Sequence, residues 1–135
     1  MVNYLTEDFK DFAEYIWKNY RKKRIVEVGI GPNDQVFREL RNKGMDVIST
    51  DVKSRPDVIV DDAYRPNYEI YESAALIYSI RPPPEMFSYL KKIAHRVGAD
   101  LIIKPLSTDP SCGGILVSYK KTTFYLFQKK FYTLE

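Results

Sequence analysis

Apolar residues Leu5, Phe9, Phe12, Ala13, Ile16, Trp17 and Tyr20 recur every three or four positions. That spacing predicts an amphipathic helix in residues 1–22, packed on whatever follows. Thr6, Glu7 and Asp8 suit its start, and Lys18, Arg21, Lys22 and Lys23 suit its end, because that order of charge complements the helix dipole. Short apolar runs then replace the helical period. Ile25 to Val28, Asp46 to Thr50, Val58 to Val60, Ala74 to Ser79 and Leu101 to Ile103 predict five strands. Helices are expected over about Asp34 to Asn42, closing at Gly44, and over Glu85 to Val97, closing at Gly98. Ile115 to Tyr119 and Phe124 to Phe127 predict an antiparallel hairpin around a Lys120 to Thr123 turn.

Near-continuous apolar strands alternating with helices imply a parallel sheet covered on both faces. The expected fold is α/β: a three-layer αβα sandwich with a Rossmann-like, mostly parallel sheet and a C-terminal antiparallel hairpin. At 135 residues the whole chain, 1–135, reads as one domain.

Composition narrows the chemistry. Hydrophobic residues at 44% and charged residues at 29% describe a folded, water-facing domain, and a net charge of +3 does not mark a nucleic-acid binder. A single Cys and a single His exclude an internal disulfide and an ordinary Cys/His zinc site, so no metal is expected. The longest apolar run, Ala74 to Ile80, is too short to cross a bilayer. With no basic-then-apolar leader visible and an unpaired Cys, the expected location is the cytoplasm.

The most informative segment is Ile25-Val26-Glu27-Val28-Gly29-Ile30-Gly31-Pro32-Asn33-Asp34. A strand meets a Gly-rich turn and a helix begins, which allows close backbone approach to a ligand and presents unpaired amides. Asp51 lies 22 residues after Gly29, at the end of the next strand, where an acid accepts hydrogen bonds from ribose hydroxyls. Asp61-Asp62-Ala63-Tyr64-Arg65-Pro66 ends the third strand. All three segments are expected at the carboxyl edge of the sheet, where open α/β folds bind ligands. The competing reading makes each of them a tight turn or a cap. A dinucleotide fingerprint needs a third Gly where Asp34 stands, and a carboxylate there opposes a pyrophosphate. An acidic rim of Glu27, Asp34, Asp51 and Asp62 better suits the positive sulfonium of S-adenosylmethionine.

Here the chain resembles the class I methyltransferases over about residues 24–104. Glu27-x-Gly29-x-Gly31 is similar to their first motif, and Asp51 matches their ribose-binding acid. Asp62-Ala63-Tyr64-Arg65-Pro66 resembles their third-strand motif, one residue shorter and without its Leu. The resemblance implies S-adenosylmethionine as cofactor, with Glu27, Gly29, Gly31, Asp51 and Asp62 holding it and Asp62 on the adenine. The whole chain also resembles a small archaeal family of uncharacterised proteins, through Glu27 to Gly31 and Tyr78 to Pro84. That likeness implies a stripped-down methyltransferase-like sheet.

The segment after the fourth strand would face the methyl group. Amino-group methyltransferases place Asp or Asn before two prolines there, whereas this chain has Arg81, which cannot accept a hydrogen bond from an amine. Arg81 suits an anionic acceptor, and Ser79 suits a hydrogen bond to substrate. Lys104 follows the fifth strand and could face the cleft, although an ordinary strand-end charge is the leading reading; His95 reads as structural, and Cys112 lacks a positioned base. Tyr119, Phe124, Tyr125, Phe127, Phe131 and Tyr132, interleaved with Lys120, Lys121, Lys129 and Lys130, offer an RNA-stacking surface or a homodimer interface. Alternating aromatics on strands also describe a core. The expected function is S-adenosylmethionine binding, in the form of a minimal methyltransferase with a small-molecule or RNA acceptor. The alternative is a non-catalytic domain that binds a protein or RNA partner through the C-terminal hairpin.

Overall fold

The computed structural model describes residues 5–133. The first four positions of the expected N-terminal helical region, and the last two of the domain, lie outside the described residues. In chain order the elements are α1 (Glu7–Asn19), β1 (Arg24–Val28), α2 (Gln35–Asn42), β2 (Asp46–Asp51), β3 (Ile59–Val60), β4 (Ala74–Ile80), α3 (Phe87–Val97), β5 (Asp100–Lys104), β6 (Ile115–Tyr119) and β7 (Thr122–Phe127).

The seven strands form one sheet in the order β3-β2-β1-β4-β5-β7-β6. β1 to β5 pair in parallel, and β7 is antiparallel to both β5 and β6. The chain therefore reverses its direction of growth between β1 and β4. That is the topological switch point at which open α/β sheets open a crevice.

Strand alternation builds two cores. Ile25, Leu76, Tyr78, Ile102 and Phe124 face α1 and α2, while Val26, Ile77, Leu101, Ile103 and Tyr125 face α3. α1 is part of this core. Phe9, Phe12, Ala13 and Ile16 are buried, and Phe12 meets the Tyr78 and Phe124 rings edge-on at 5.7 and 5.3 Å. Burying a side chain of this class contributes roughly 1.5–3 kcal/mol. Thr6 caps the helix by accepting a hydrogen bond from the Phe9 amide at 3.1 Å. The hairpin grips the other face of α1. Glu14 accepts hydrogen bonds from Tyr119 Oη at 2.5 Å and Lys120 Nζ at 2.6 Å. Those donors hold its carboxyl down at a pKa of about 2, the Lys120 ammonium having the larger effect.

The hairpin turn is shorter than the sequence suggests. Thr122 pairs with Tyr119, so only Lys120 and Lys121 make the turn, with Lys120 at φ 50°. Thr122 is buried and β-branched, which favours the pleat over the turn. No α-helix covers the links on either side of β3. Val52, Ile59, Val60 and Tyr64 are accordingly exposed.

Candidate functional site

The Gly-rich turn leaves β1 with Gly29 at φ 68° and Gly31 at φ 59°, a region disfavoured for residues bearing a Cβ. A Cβ added at either position would meet nothing within 4 Å. The glycines thus serve the backbone conformation and leave the space above them open. The amides of Gly29 and Ile30 donate to Thr50 O at 2.9 and 3.0 Å, anchoring the turn to β2. Ile30 points inward and is buried with Val36 and Phe37, so it does not obstruct the turn. A cleft of about 300 Å³ lies beside it, lined by Ile30, Gly31, Pro32, Phe37, Arg55 and Val58 among others.

Asp34 and Asp57 are the acids that line this cleft, and the expected site acids occupy different environments. Asp51 ends β2 and lies 3.3 Å from Arg55 Nε, a pair formed within one turn of chain. Asp34, just before α2, holds Arg38 at 2.9 Å. Asp62 accepts the Tyr64 amide at 2.9 Å and closes its own turn. Its neighbour Asp61 takes the Tyr71 hydroxyl at 2.6 Å and the Asn67 amide at 3.0 Å. Glu27 lies below the turn, 1% exposed, and accepts the Tyr78 hydroxyl at 2.6 Å. Burial pushes its carboxyl up to about 8, against the opposing effect of the Tyr78 hydrogen bond, with a further push from Asp34. Asp51 and the glycines therefore share one edge of the sheet. Glu27 supports that edge from beneath, and Asp62 is engaged in local turn structure.

Beyond the switch point, Ser79 is buried and donates to Val28 O at 2.8 Å, tying β4 to β1. Arg81 follows β4 at φ 54°, a left-handed conformation that costs a residue with a Cβ about 1–2 kcal/mol. Its amide donates to Lys104 O at 2.6 Å, and its guanidinium carbon lies 5.3 Å from the centre of the Phe9 ring. Lys104 is 6% exposed and no ordinary strand-end charge. Its ammonium donates to Thr122 Oγ1 at 3.2 Å and Thr123 O at 3.0 Å, and sits 2.8 Å from Asp8 Oδ1. Asp8, Arg81, Lys104 and Lys121 line a pocket of about 170 Å³. Sequence reasoning missed Asp8, Lys104 and Lys121 as a group because they come together only through the tertiary fold.

The remaining candidates are structural. Cys112 is buried and its thiol is pushed up to about 11 by desolvation, far from a thiolate nucleophile. His95 stacks on Tyr132 at 3.9 Å. Phe124 and Tyr125 are buried, so the hairpin aromatics do not form one continuous stacking surface. Among the described residues, no group of three or more His, Cys, Asp or Glu side chains is placed to hold a metal. Among the same residues, no helix is long and apolar enough to cross a membrane.

Comparison with known proteins places the chain. It is 47% identical over 125 residues to a UPF0146 protein of Archaeoglobus fulgidus, covering 89% of this chain and 95% of the relative. A UPF0146 protein of Methanothermobacter thermautotrophicus is 45% identical over 123 residues, covering 87% and 92%. One from Methanocaldococcus jannaschii is 34% identical over 139 residues, covering 96% and 98%. A family model described as "Uncharacterised protein family (UPF0146)" matches residues 9–129, and the chain belongs to that family.

Proposed function

We propose that the protein binds S-adenosylmethionine at the carboxyl ends of β1 and β2 and acts as a minimal methyltransferase. The observation that carries this reading is the pair of left-handed glycines, open above their Cα atoms, beside a cleft between the Gly-rich turn, α2 and the link from β2 to β3, at the carboxyl edge of the sheet. Gly29 and Gly31 would let the methionine portion approach the backbone. Asp51 would accept the ribose hydroxyls in exchange for Arg55. Glu27 would brace the turn from below. Asp62 would reach adenine only by leaving its turn, so we assign it the smallest share. Methyl transfer needs chiefly in-line placement of the acceptor, and Arg81 is the residue to orient an anionic one. The acceptor is a small molecule on this reading, because the pocket at Arg81 is only about 170 Å³.

Titration calorimetry with S-adenosylmethionine, S-adenosylhomocysteine and NAD tests the proposal on wild type and Asp51→Ala. Micromolar binding of the first two, weakened at least about tenfold in the variant, is expected from the loss of charge-assisted hydrogen bonds. A folded protein that gives no heat with the first two, or that prefers NAD, would sink it.

A second reading, a non-catalytic domain that docks a partner protein or a second copy, rests on β6. This strand forms a free sheet edge with Ile115 and Leu116 about half exposed, near Phe131. Unprotected edges of this kind invite pairing. Sedimentation of wild type against Leu116→Lys separates the two, since only this reading ties a cofactor-independent assembly to that edge.

A further inference from the structure

We propose that the pocket at the carboxyl ends of β4 and β5 is an oxyanion site, taking the phosphate or carboxylate end of a small molecule, with Asp8 as an internal stand-in that the ligand displaces. The inference stands on the pocket itself. Where the methyl-transfer reading also holds, the oxyanion is the charged end of the acceptor.

Four observations converge. Lys104 is almost wholly buried, yet its ammonium reaches the pocket wall, and a buried ammonium needs a compensating negative partner. Arg81, Lys104 and Lys121 face a single carboxylate there, so the lining carries an excess of positive charge. A cleft lined by one sign of charge and walled by protein focuses its field on an incoming counter-ion. The resident carboxylate fits poorly. Asp8 Oδ1 lies 2.8 Å from Lys104 Nζ and is shut off from solvent, yet it finds no aligned hydrogen-bond donor. Finally, Arg81 keeps a left-handed backbone that Gly would adopt without strain, immediately beside the Lys104 carbonyl that accepts its amide. Strain of this kind gathers where a side chain is needed for function. Arg81 and Lys104 come from neighbouring parallel strands, so the fold itself sets their spacing. At about 170 Å³ the pocket accommodates a charged group and its immediate attachment, with the rest of the molecule extending out past Leu106 and Ser107.

The test uses the full chain in chloride buffer at constant ionic strength. Inorganic phosphate and succinate are titrated separately while backbone amide shifts are followed by NMR. In wild type, one of the two anions is expected to move the Arg81, Lys104 and Thr123 amides. Asp8→Asn removes the internal competitor and is expected to tighten that binding at least tenfold. Adding Lys104→Gln or Arg81→Gln to Asp8→Asn is expected to return the affinity to wild type or below. Arg81 is exposed, so its variant keeps the test decisive if Lys104→Gln fails to fold. The stronger of the two anions identifies the ligand class. Absence of shifts at these amides with both anions overturns the proposal, as does Asp8→Asn binding no tighter than wild type. S-adenosylmethionine is absent throughout, so failure here leaves the cofactor reading untouched, and loss of cofactor binding leaves this site untouched.

Discussion

The carboxyl edge of the sheet has two halves built on opposite electrostatic plans. At β1 and β2 two acids are each matched by an arginine four residues later, Asp34 with Arg38 and Asp51 with Arg55. At β4 and β5 three cations, Arg81, Lys104 and Lys121, face the single carboxylate of Asp8. The first half is locally neutralised and open above two glycines. The second is locally cationic and closed by the first turn of α1. On the two proposals made above, one sheet edge would hold a cationic sulfonium in the first half and an anion in the second. The switch point between β1 and β4 keeps them side by side.

The sharpest way to break that comparison is to remove the element that closes only one half. Phe12 is fully buried and joins α1 to β4 and β7. Phe12→Ala is expected to cost about 3–5 kcal/mol in urea unfolding, as a large core truncation that leaves a cavity. Its effect on anion binding should exceed its effect on S-adenosylmethionine binding under conditions where the variant stays folded. A loss below about 1 kcal/mol would show that α1 is an appendage and not a wall of the pocket.

A pH series then tests what lies beneath the glycine turn. The Glu27 carboxyl is raised in the folded protein to about 8 from an ordinary value of 4.5. Above pH 4.5 the unfolded chain has released this proton while the folded chain still holds it. The stability Glu27 contributes is therefore fully present below about 4.5 and is lost as pH rises through about 8. Linkage sets the slope of that loss at no more than about 1.4 kcal/mol per pH unit. Glu27→Gln keeps an acceptor for the Tyr78 hydroxyl but cannot titrate. The stability difference between the two proteins should shift in favour of the variant between pH 5 and 8, then level off. Parallel stability curves would show that Glu27 is ionised in the fold.

Gly29→Ala has a smaller effect on the fold and a selective one on function. A Cβ has room at this position, so the penalty is backbone strain alone, about 1–2 kcal/mol. The same Cβ occupies the space assigned to the cofactor. S-adenosylmethionine affinity should fall at least about tenfold, the equivalent of about 1.4 kcal/mol, while phosphate binding at Arg81 stays unchanged. Calorimetry with both ligands on one preparation decides it. Equal losses at the two sites would mean that the variant disturbs the whole edge.

These two halves were not equally legible in the sequence. The parallel sheet, the three helices and the glycine turn follow from local period and from Gly placement, because β1 and α2 are fixed by residues adjacent in the chain. Asp51 is legible as a strand-end acid for the same reason, since a strand end is a local feature. The second half depends on residues as far apart as Asp8, Arg81, Lys104 and Lys121, which only the strand order brings together. Lys104 reads first as a strand-end charge because nothing in Ile102-Ile103-Lys104-Pro105 reveals that its ammonium meets Asp8 of α1 and Thr122 and Thr123 of β7. The turn is shorter than local propensity predicts for a related reason. Thr122 is drawn into β7 by burial and by the Lys104 ammonium, neither of which local propensity can register. Glu27 was placed among the ligand-contacting acids because the motif marks its position. Its depth below the turn comes from Tyr78, which lies directly across the β1–β4 pairing.

The subtlest variant addresses Arg55, the arginine paired with the acid proposed to bind ribose. Arg55 is partly exposed and its pair with Asp51 spans one turn of chain, so Arg55→Gln should change stability by no more than about 0.5 kcal/mol. Its effect on binding depends on which role Arg55 has. If Arg55 merely neutralises Asp51 in the empty site, the ribose hydroxyls must compete with it, and its removal should improve S-adenosylmethionine affinity a few-fold. If Arg55 stays in the cleft and contacts the ligand, affinity should fall by a similar factor. The sign is readable by calorimetry even though the magnitude is small. Salt separates the two cases further. Competition from a partly exposed ion pair weakens as salt rises, so wild-type affinity should rise toward that of the variant at high ionic strength only in the first case. The first outcome makes the arginines of this half internal counter-ions for its acids, the role that Asp8 has for the cations of the other half. Each half would then hold its own stand-in until a ligand of matching charge arrives.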